Sequence, residues 1–344
     1  MEIRANVIVC DCVEDELLSF QKGMNDDNAE FEIESYIANW KRTGAYSEFK
    51  RYFKYFSVAG KLFRKRKKYN IIVGWQQFYA LIFCFYCSLF HVKKRNKVIA
   101  LNFTYKEKGG FAGKIYFKFM KKCVNPKYLD SICVLSQNYA QIVSETFDFP
   151  SERIIVQTFG IDDPYEFFSK MSMPEEAPKR GYALAIGRSN RDFDFLISAW
   201  KHVDYPLVII SDTYTGNNDE NENVTIIKNV AGSESYPWIA NCELAIVPID
   251  DGRICSGDTV LLTSLAMKKK ILITEPSTLS EMYILNGENG ISSPKDELIF
   301  ANFAKELLCT ERYDYLRENA RNCYLDNYSC ESMGKKIREF ITKV

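Results

Sequence analysis

The sequence predicts an α/β protein of two doubly wound, Rossmann-like domains facing a central cleft. Three observations carry that expectation. Short apolar runs alternate with helical stretches from Ala5 to about residue 291, the pattern of parallel strands joined by crossover helices. The 344 residues, 47% of them hydrophobic and 14% aromatic, suffice for two domains that each bury a core. The alternation is interrupted at 164–180, where PEEAPKR (Pro174 to Arg180) is the most polar piece and marks a linker. The expected domains are therefore 1–163 and 181–344, with the last helix free to pack back on the first. Ligands of open α/β sheets bind beyond the carboxyl ends of the strands, so the cleft between the halves is the expected site.

The elements follow in order. ANVIVC (Ala5 to Cys10) and FEIESYIAN (Phe31 to Asn39) are the first two strands, and Glu48 to Lys68 is a long basic helix. IIVGW (Ile71 to Trp75), a helix near Phe78 to Phe90, KVIALNF (Lys97 to Phe103) and a basic helix near Phe111 to Cys123 come next. SICVLS (Ser131 to Ser136), a short helix and RIIVQTFGID (Arg153 to Asp162) close the first half. The second half opens with YALAIGR (Tyr182 to Arg188), a strand ending in Gly-Arg, and the amphipathic helix SNRDFDFLISAW (Ser189 to Trp200). CSGDTVLLTSLAMKKKILITEP (Cys255 to Pro276) reads as turn, helix and buried strand, and helical sequence fills Lys295 to Val344.

Net charge is zero but unevenly spread. Residues 1–150 carry 24 Lys/Arg and 15 Asp/Glu, and residues 151–344 carry 21 and 30. Residues 51–129 hold 19 Lys/Arg, 20 aromatics and a single acid, Glu107. Such a window suits an anionic membrane surface, each nearby cation adding about 1 kcal/mol; a solvated basic face on core helices is the plainer alternative. No nucleic-acid motif accompanies the charge. The apolar run Phe78 to Phe90 is 13 residues, short of the roughly 20 that span a bilayer. No secretory pattern opens the chain, and the 11 cysteines read as reduced cytosolic thiols. Cys84 and Cys87 form a CxxC inside FCFYCSLF and read as core residues.

Two turns carry the chemistry of a diphosphate site. Gly187, Arg188 and Arg191 follow the strand YALAI, where guanidinium groups can make bidentate phosphate contacts. Ser256, Gly257, Asp258 and Thr259 sit where a helix begins; Gly257 allows close approach, and hydroxyls and N–H groups are offered together. An arginine pair flanking a turn, and an ordinary N-cap, are the alternatives. Replacing either arginine is expected to weaken diphosphate binding and leave folding little changed.

Four segments resemble the GT-B glycosyltransferases of family four and its relatives, a group including bacterial polysaccharide and lipid-glycosylating enzymes: Ile132 to Asp162, Ala183 to Ala199, Asn229 to Asp250 and Ser256 to Thr274. The resemblance implies transfer of a hexose-type sugar from a nucleotide-sugar donor to a glycan or lipid-linked acceptor, without a metal or other cofactor; the basic aromatic window adds the expectation of a cytoplasmic protein peripheral at the inner face of the plasma membrane. It implies that Arg188 and Arg191 contact the donor diphosphate and that Val230 and Tyr236 lie in the base-binding loop. It also exposes a departure. Retaining members often carry two Glu residues around the second helix, and here Thr263 and Cys255 occupy those places. Asp258 is the nearest carboxylate, and the stereochemical outcome stays open. A catalytically degenerate GT-B protein that binds glycan or partners is the second reading. GGFAGKI (Gly109 to Ile115) fails the spacing of a phosphate loop. Asp192 and Asp194 form a DxD, better read as helix N-terminal acids, and neither His91 nor His202 is assigned as a base.

Overall fold

The computed structural model describes residues 4–37, 45–216, 221–230, 232–254 and 256–343. The chain divides into two compact units, Met1–Gly160 with Cys330–Val344, and Ile161–Ser329.

The first unit is built on a six-stranded sheet of β1 (Ala5–Cys10), β2 (Phe31–Ser35), β3 (Tyr69–Gly74), β4 (Lys97–Ala100), β5 (Ser131–Val134) and β6 (Ile154–Val156), in the order β2-β1-β3-β4-β5-β6. Every pairing is parallel. Parallel strands are covered on both faces, and β1 has the alternation that requires. Val7 and Val9 enter one core with Leu62, Ile82, Phe83 and Met120, from helices Ala45–Lys65, Gln77–Leu89 and Gly110–Cys123. Ile8 and Cys10 enter the other, with Phe20, Met333, Ile337 and Ile341. The last three lie on the C-terminal helix Cys330–Lys343, which crosses Leu18–Met24. Arg338 donates to Gly23 O at 3.1 Å, and Lys22 pairs with Glu331 at 2.7 Å. The last helix is thus part of the first unit.

The second unit holds β7 (Ala183–Ile186), β8 (Leu207–Ile210), β9 (Val224–Ile227), β10 (Leu244–Val247), β11 (Lys270–Glu275) and β12 (Ile291–Pro294), in the order β12-β11-β10-β7-β8-β9, again all parallel. The chain runs outward from β7 to β9 and then restarts on the other side of β7, so the strand order reverses between β7 and β10. That reversal opens a crevice at the carboxyl ends of the strands. Ala185, Leu196, Trp200, Ile209, Ile246 and Phe300 fill one face of this sheet. Residues 164–180, expected to be a linker, carry the short helix Tyr165–Phe168 and group with this unit. Asp163 is held there by Arg321 at 2.6 Å.

Several strands end earlier than the apolar runs suggest. The β4 strand stops at Ala100 because Asn102 turns the chain at φ 52°. The β5 strand stops at Val134 because Ser136 leaves the sheet to cap the helix Gln137–Phe147, accepting from Tyr139 N at 3.3 Å. Asn39, the expected end of the second strand, lies outside the described residues, and β2 itself ends at Ser35.

Candidate functional site

Beyond the carboxyl ends of β7 and β8 lies a cavity of about 390 Å³. Its wall takes Ile186, Gly187, Arg188, Ser189 and Arg191 from the turn after β7, and Ser211 and Asp212 from the turn after β8. Val230, Ser235 and Tyr236 come from the loop after β9, and Ser256, Gly257, Thr259 and Thr263 from the start of the helix Asp258–Ala266. Eight of the nine residues singled out in the sequence line this one space; Asp258, the first residue of the helix, does not.

The two arginines do different things. Arg191 is folded into the turn. Its Nη1 donates to Asn190 O at 3.1 Å and Ser256 O at 3.0 Å, and its Nε reaches Ile186 O at 3.4 Å. It therefore ties the turn after β7 to the residue preceding the second helix. Burial pulls its guanidinium down to about 10, with the neighbouring Asp258 carboxylate opposing that shift; it stays charged at neutral pH. Nη2 has no acceptor among the described residues and lies against Gly257. A Cβ at Gly257 would sit 1.8 Å from Nη2, and Gly257 has φ 107°, a conformation L side chains rarely take. Glycine is required there on both counts. At Gly187 a Cβ would come within 2.8 Å of Arg191 Nε. Arg188, in contrast, is 61% exposed and reaches sideways to Asp212 Oδ2 at 2.8 Å.

The rest of the frame supports these groups. Asn190, at φ 54°, donates to Asp251 O and Ile254 O at 3.1 Å each, and its Oδ1 accepts from Asp251 N at 2.7 Å. The loop leading to Ser256 is thereby pinned to the turn after β7. Ser189 and Ser256 meet at 3.3 Å between hydroxyls. The helix Asp258–Ala266 begins with N–H groups that have no acceptor inside the helix, and its positive end favours an anion. Tyr236 packs on Phe168, ring centres 4.4 Å apart. The cavity thus offers a cationic floor, a helix N-terminus, three or more hydroxyls and one aromatic wall, which is the donor set of an oxyanion site beside a flat ring.

Other sequence features fall elsewhere. Asp192 caps the helix Phe193–Trp200, accepting from Phe195 N at 2.9 Å, and pairs with Lys295 at 2.5 Å. Asp194 accepts from the Tyr214 hydroxyl at 2.5 Å. The DxD acids are thus a cap and a partner, and among the described residues no group of three or more His, Cys, Asp or Glu could hold a metal ion. Thr263 is buried and lines the cavity where the resemblance puts one Glu of the pair; Cys255, the place of the other, lies outside the described residues. Cys84 and Cys87 are buried in the first core, and burial pushes the Cys87 thiol up to about 12. Sequence reasoning missed Asp212, Asn190 and Lys295. Asp212 had a signal: it follows the apolar run LVII at the position where a β-strand of such a sheet delivers its ligand-binding turn.

No family model matches the chain, and no curated protein is detectably similar to it in sequence. Its fold is well represented among solved structures. A glycosyltransferase from Rickettsia africae superposes with a TM-score of 0.66 at 14% identity, covering 99% of this chain and 98% of that one. Anabaena HepE in complex with UDP gives 0.61 at 13% identity, covering 98% and 100%. WaaG, a glycosyltransferase involved in lipopolysaccharide biosynthesis, gives 0.58 at 14% identity, covering 98% and 100%. Together with the two doubly wound sheets, these likenesses establish that the chain has the GT-B fold.

Proposed function

We propose that this protein is a glycosyltransferase that takes a hexose-type sugar from a nucleotide-sugar donor and passes it to a glycan or lipid-linked acceptor in cell-surface polysaccharide synthesis. The observation that carries the reading is the convergence of Arg188, Arg191, Gly257 and the start of the helix Asp258–Ala266 on one cavity. A diphosphate there would meet two cations and a helix N-terminus, while Val230 and Tyr236 flank the nucleoside. The binding of UDP by HepE, a structural neighbour, makes uridine nucleotides the first donors to try.

In this reading the chain's own residues stabilise the leaving diphosphate. Arg191 is pre-set by its carbonyl bonds, so it loses little freedom on binding, and its free Nη2 supplies a charge-assisted donor. Arg188 exchanges Asp212 for phosphate. Fixed donors aimed at developing negative charge lower the barrier without reorganisation, so no metal is required. Asp212 is the carboxylate of the cavity wall, and Asp258, at the start of the helix behind it, is the second carboxylate within the site's frame.

Exposed apolar side chains in the first unit support docking on an anionic membrane from the cytoplasmic side. Phe49, Phe53 and Phe111 are each more than half exposed on lysine- and arginine-rich helices, and Phe90, also more than half exposed, ends an apolar helix shortly before Lys93, Lys94 and Arg95. Among the described residues, no helix is long and apolar enough to cross a membrane. The decisive experiment is a thermal-shift screen of nucleotide sugars, since a ligand at 100 times its dissociation constant adds about 2.7 kcal/mol. Turnover of the donor so found is expected to survive EDTA; loss on chelation, restored by Mn²⁺ or Mg²⁺, would overturn the metal-free account. A catalytically degenerate binding protein predicts no nucleotide response at all.

A further inference from the structure

A second cavity, of about 280 Å³, lies inside the first unit and has chemistry of a different kind. It is lined by Arg51, Tyr52, Tyr55, Trp75, Gln76 and Asn102, among others. Trp75 and Gln76 follow β3, and Asn102 follows β4, so the space opens at the carboxyl ends of two neighbouring strands. Asp11, which follows β1, donates its backbone N–H to Gln76 Oε1 at 3.0 Å. The strand order in this sheet reverses between β1 and β3, next to this space, and open α/β sheets hold their ligands beyond the carboxyl ends of the strands.

The polar groups are oriented but unfinished. Gln76 Oε1 is used by Asp11, which leaves its amide N–H₂ free of any bond among the described residues. Asn102 Nδ2 donates to Trp75 O at 3.1 Å, which fixes the amide and leaves its Oδ1 as an acceptor. The Trp75 indole N–H has no acceptor among the described residues. Arg51 is half-buried; its guanidinium lies 5.9 Å from the Tyr52 ring centre and makes no ion pair or hydrogen bond among the described residues. Among the described residues, no acidic side chain lines the cavity. A half-buried cation whose one partner is the Tyr52 ring has donors to spare, so the site is complementary to an anion. Aromatic walls with a few fixed amides suit the apolar face and hydroxyl edge of a sugar ring. The volume, just below the roughly 300–1,000 Å³ of drug-sized sites, fits a single ring.

We propose that this cavity binds an anionic pyranose, its ring against the aromatic side chains and its carboxylate or phosphate on Arg51. Resting on the transferase reading above, this names the acceptor class as a glycan or carrier whose docking unit is a uronic acid or a sugar phosphate.

The test is a titration of full-length protein carrying ¹⁵N-labelled tryptophan, with UDP present to fill the donor cavity. The chain has four tryptophans, and Trp75→Phe assigns the indole signal of Trp75. Glucuronic acid or glucose 1-phosphate is expected to move that signal, whichever does so identifying carboxylate or phosphate, while glucose and inorganic phosphate bind at least about tenfold more weakly. Arg51→Gln is expected to lower the affinity for the effective anionic sugar by about tenfold or more, the scale of one charge-assisted hydrogen bond, with the UDP response unchanged. A Trp75 signal indifferent to all four probes, equal affinity for glucose and the anionic sugars, or wild-type affinity in Arg51→Gln would each overturn the proposal. Failure of the donor reading shows separately, as the absence of a UDP response, and leaves the Trp75 result to be judged alone.

Discussion

The two units share a topology class and differ in what they place at the ends of their strands. In the second unit the strand ends carry Gly187, Ser189, Ser211, Ser256, Gly257 and Thr259 around Arg191. Small residues keep the backbone within reach, so most of the binding capacity lies in N–H groups, hydroxyls and one pre-bonded guanidinium. In the first unit the strand ends carry Trp75, Gln76 and Asn102 below Tyr52, Tyr55 and Arg51. There the backbone is covered, and binding capacity lies in rings and side-chain amides. A doubly wound sheet fixes where a ligand goes; the size of the residues in its turns decides whether main chain or side chain greets it. One surface suits a diphosphate, which needs many donors, and the other a ring, which needs area.

The change that should break this contrast most strongly is Gly257→Val. It would force a β-branched residue into φ 107° and push a side chain through Arg191. Backbone strain of this kind costs about 1–3 kcal/mol. Displacing Arg191 together with the helix start removes at least two charge-assisted bonds, so UDP affinity measured by calorimetry should fall about a hundredfold or more. Retained affinity would remove the helix start from the donor site. The indole signal of Trp75 should not move.

The arginines sharpen the comparison within the second unit. From sequence alone the two look equivalent, and folding is expected to tolerate the loss of either; the carbonyl bonds of Arg191 set a different expectation for that residue. Arg191→Ala leaves the carbonyls of Asn190 and Ser256 without their donor, so a loss of about 1–3 kcal/mol in stability is expected, along with weaker nucleotide binding. Arg188→Ala gives up only an exposed pair with Asp212, worth about 0–1 kcal/mol. It should leave the denaturation midpoint nearly unchanged while weakening UDP by about 1.5–3 kcal/mol. Chemical denaturation and calorimetry on both variants separate the roles; equal stability losses would refute the distinction.

An effect on a different readout, membrane binding, concerns the first unit's basic surface. Converting Lys65, Arg66, Lys67 and Lys68 to Gln should reduce sedimentation with anionic vesicles, by about 1 kcal/mol per cation at the surface, and spare UDP affinity. Wild-type binding should weaken as salt rises, since screening shortens to about 3 Å at 1 M. Equal partitioning onto neutral vesicles, indifferent to salt, would sink the electrostatic account.

Much of this molecule is local and therefore legible in the chain. Apolar runs such as ANVIVC and ILIT, the caps at Ser136, Asp192 and Ser277, and the glycine turns at 187 and 257 are set by neighbours in sequence, because strand burial, capping and backbone conformation each need only a few adjacent residues. Tertiary structure decided the rest. Asp212 reaches Arg188 because β8 pairs with β7, and strand order is not written in periodicity. Arg191 becomes a pin through a carbonyl 65 residues away. The last helix joins the first unit because its apolar stripe of Met333, Ile337 and Ile341 fits the uncovered face of that sheet; its sequence says only that such a stripe must be buried. The cation on Arg51 gains meaning because the fold brings it to Trp75 and Asn102 and, among the described residues, lines that space with no carboxylate. Composition records that residues 51–129 are basic; the packing of strands and helices selects which of those charges is left to meet a ligand.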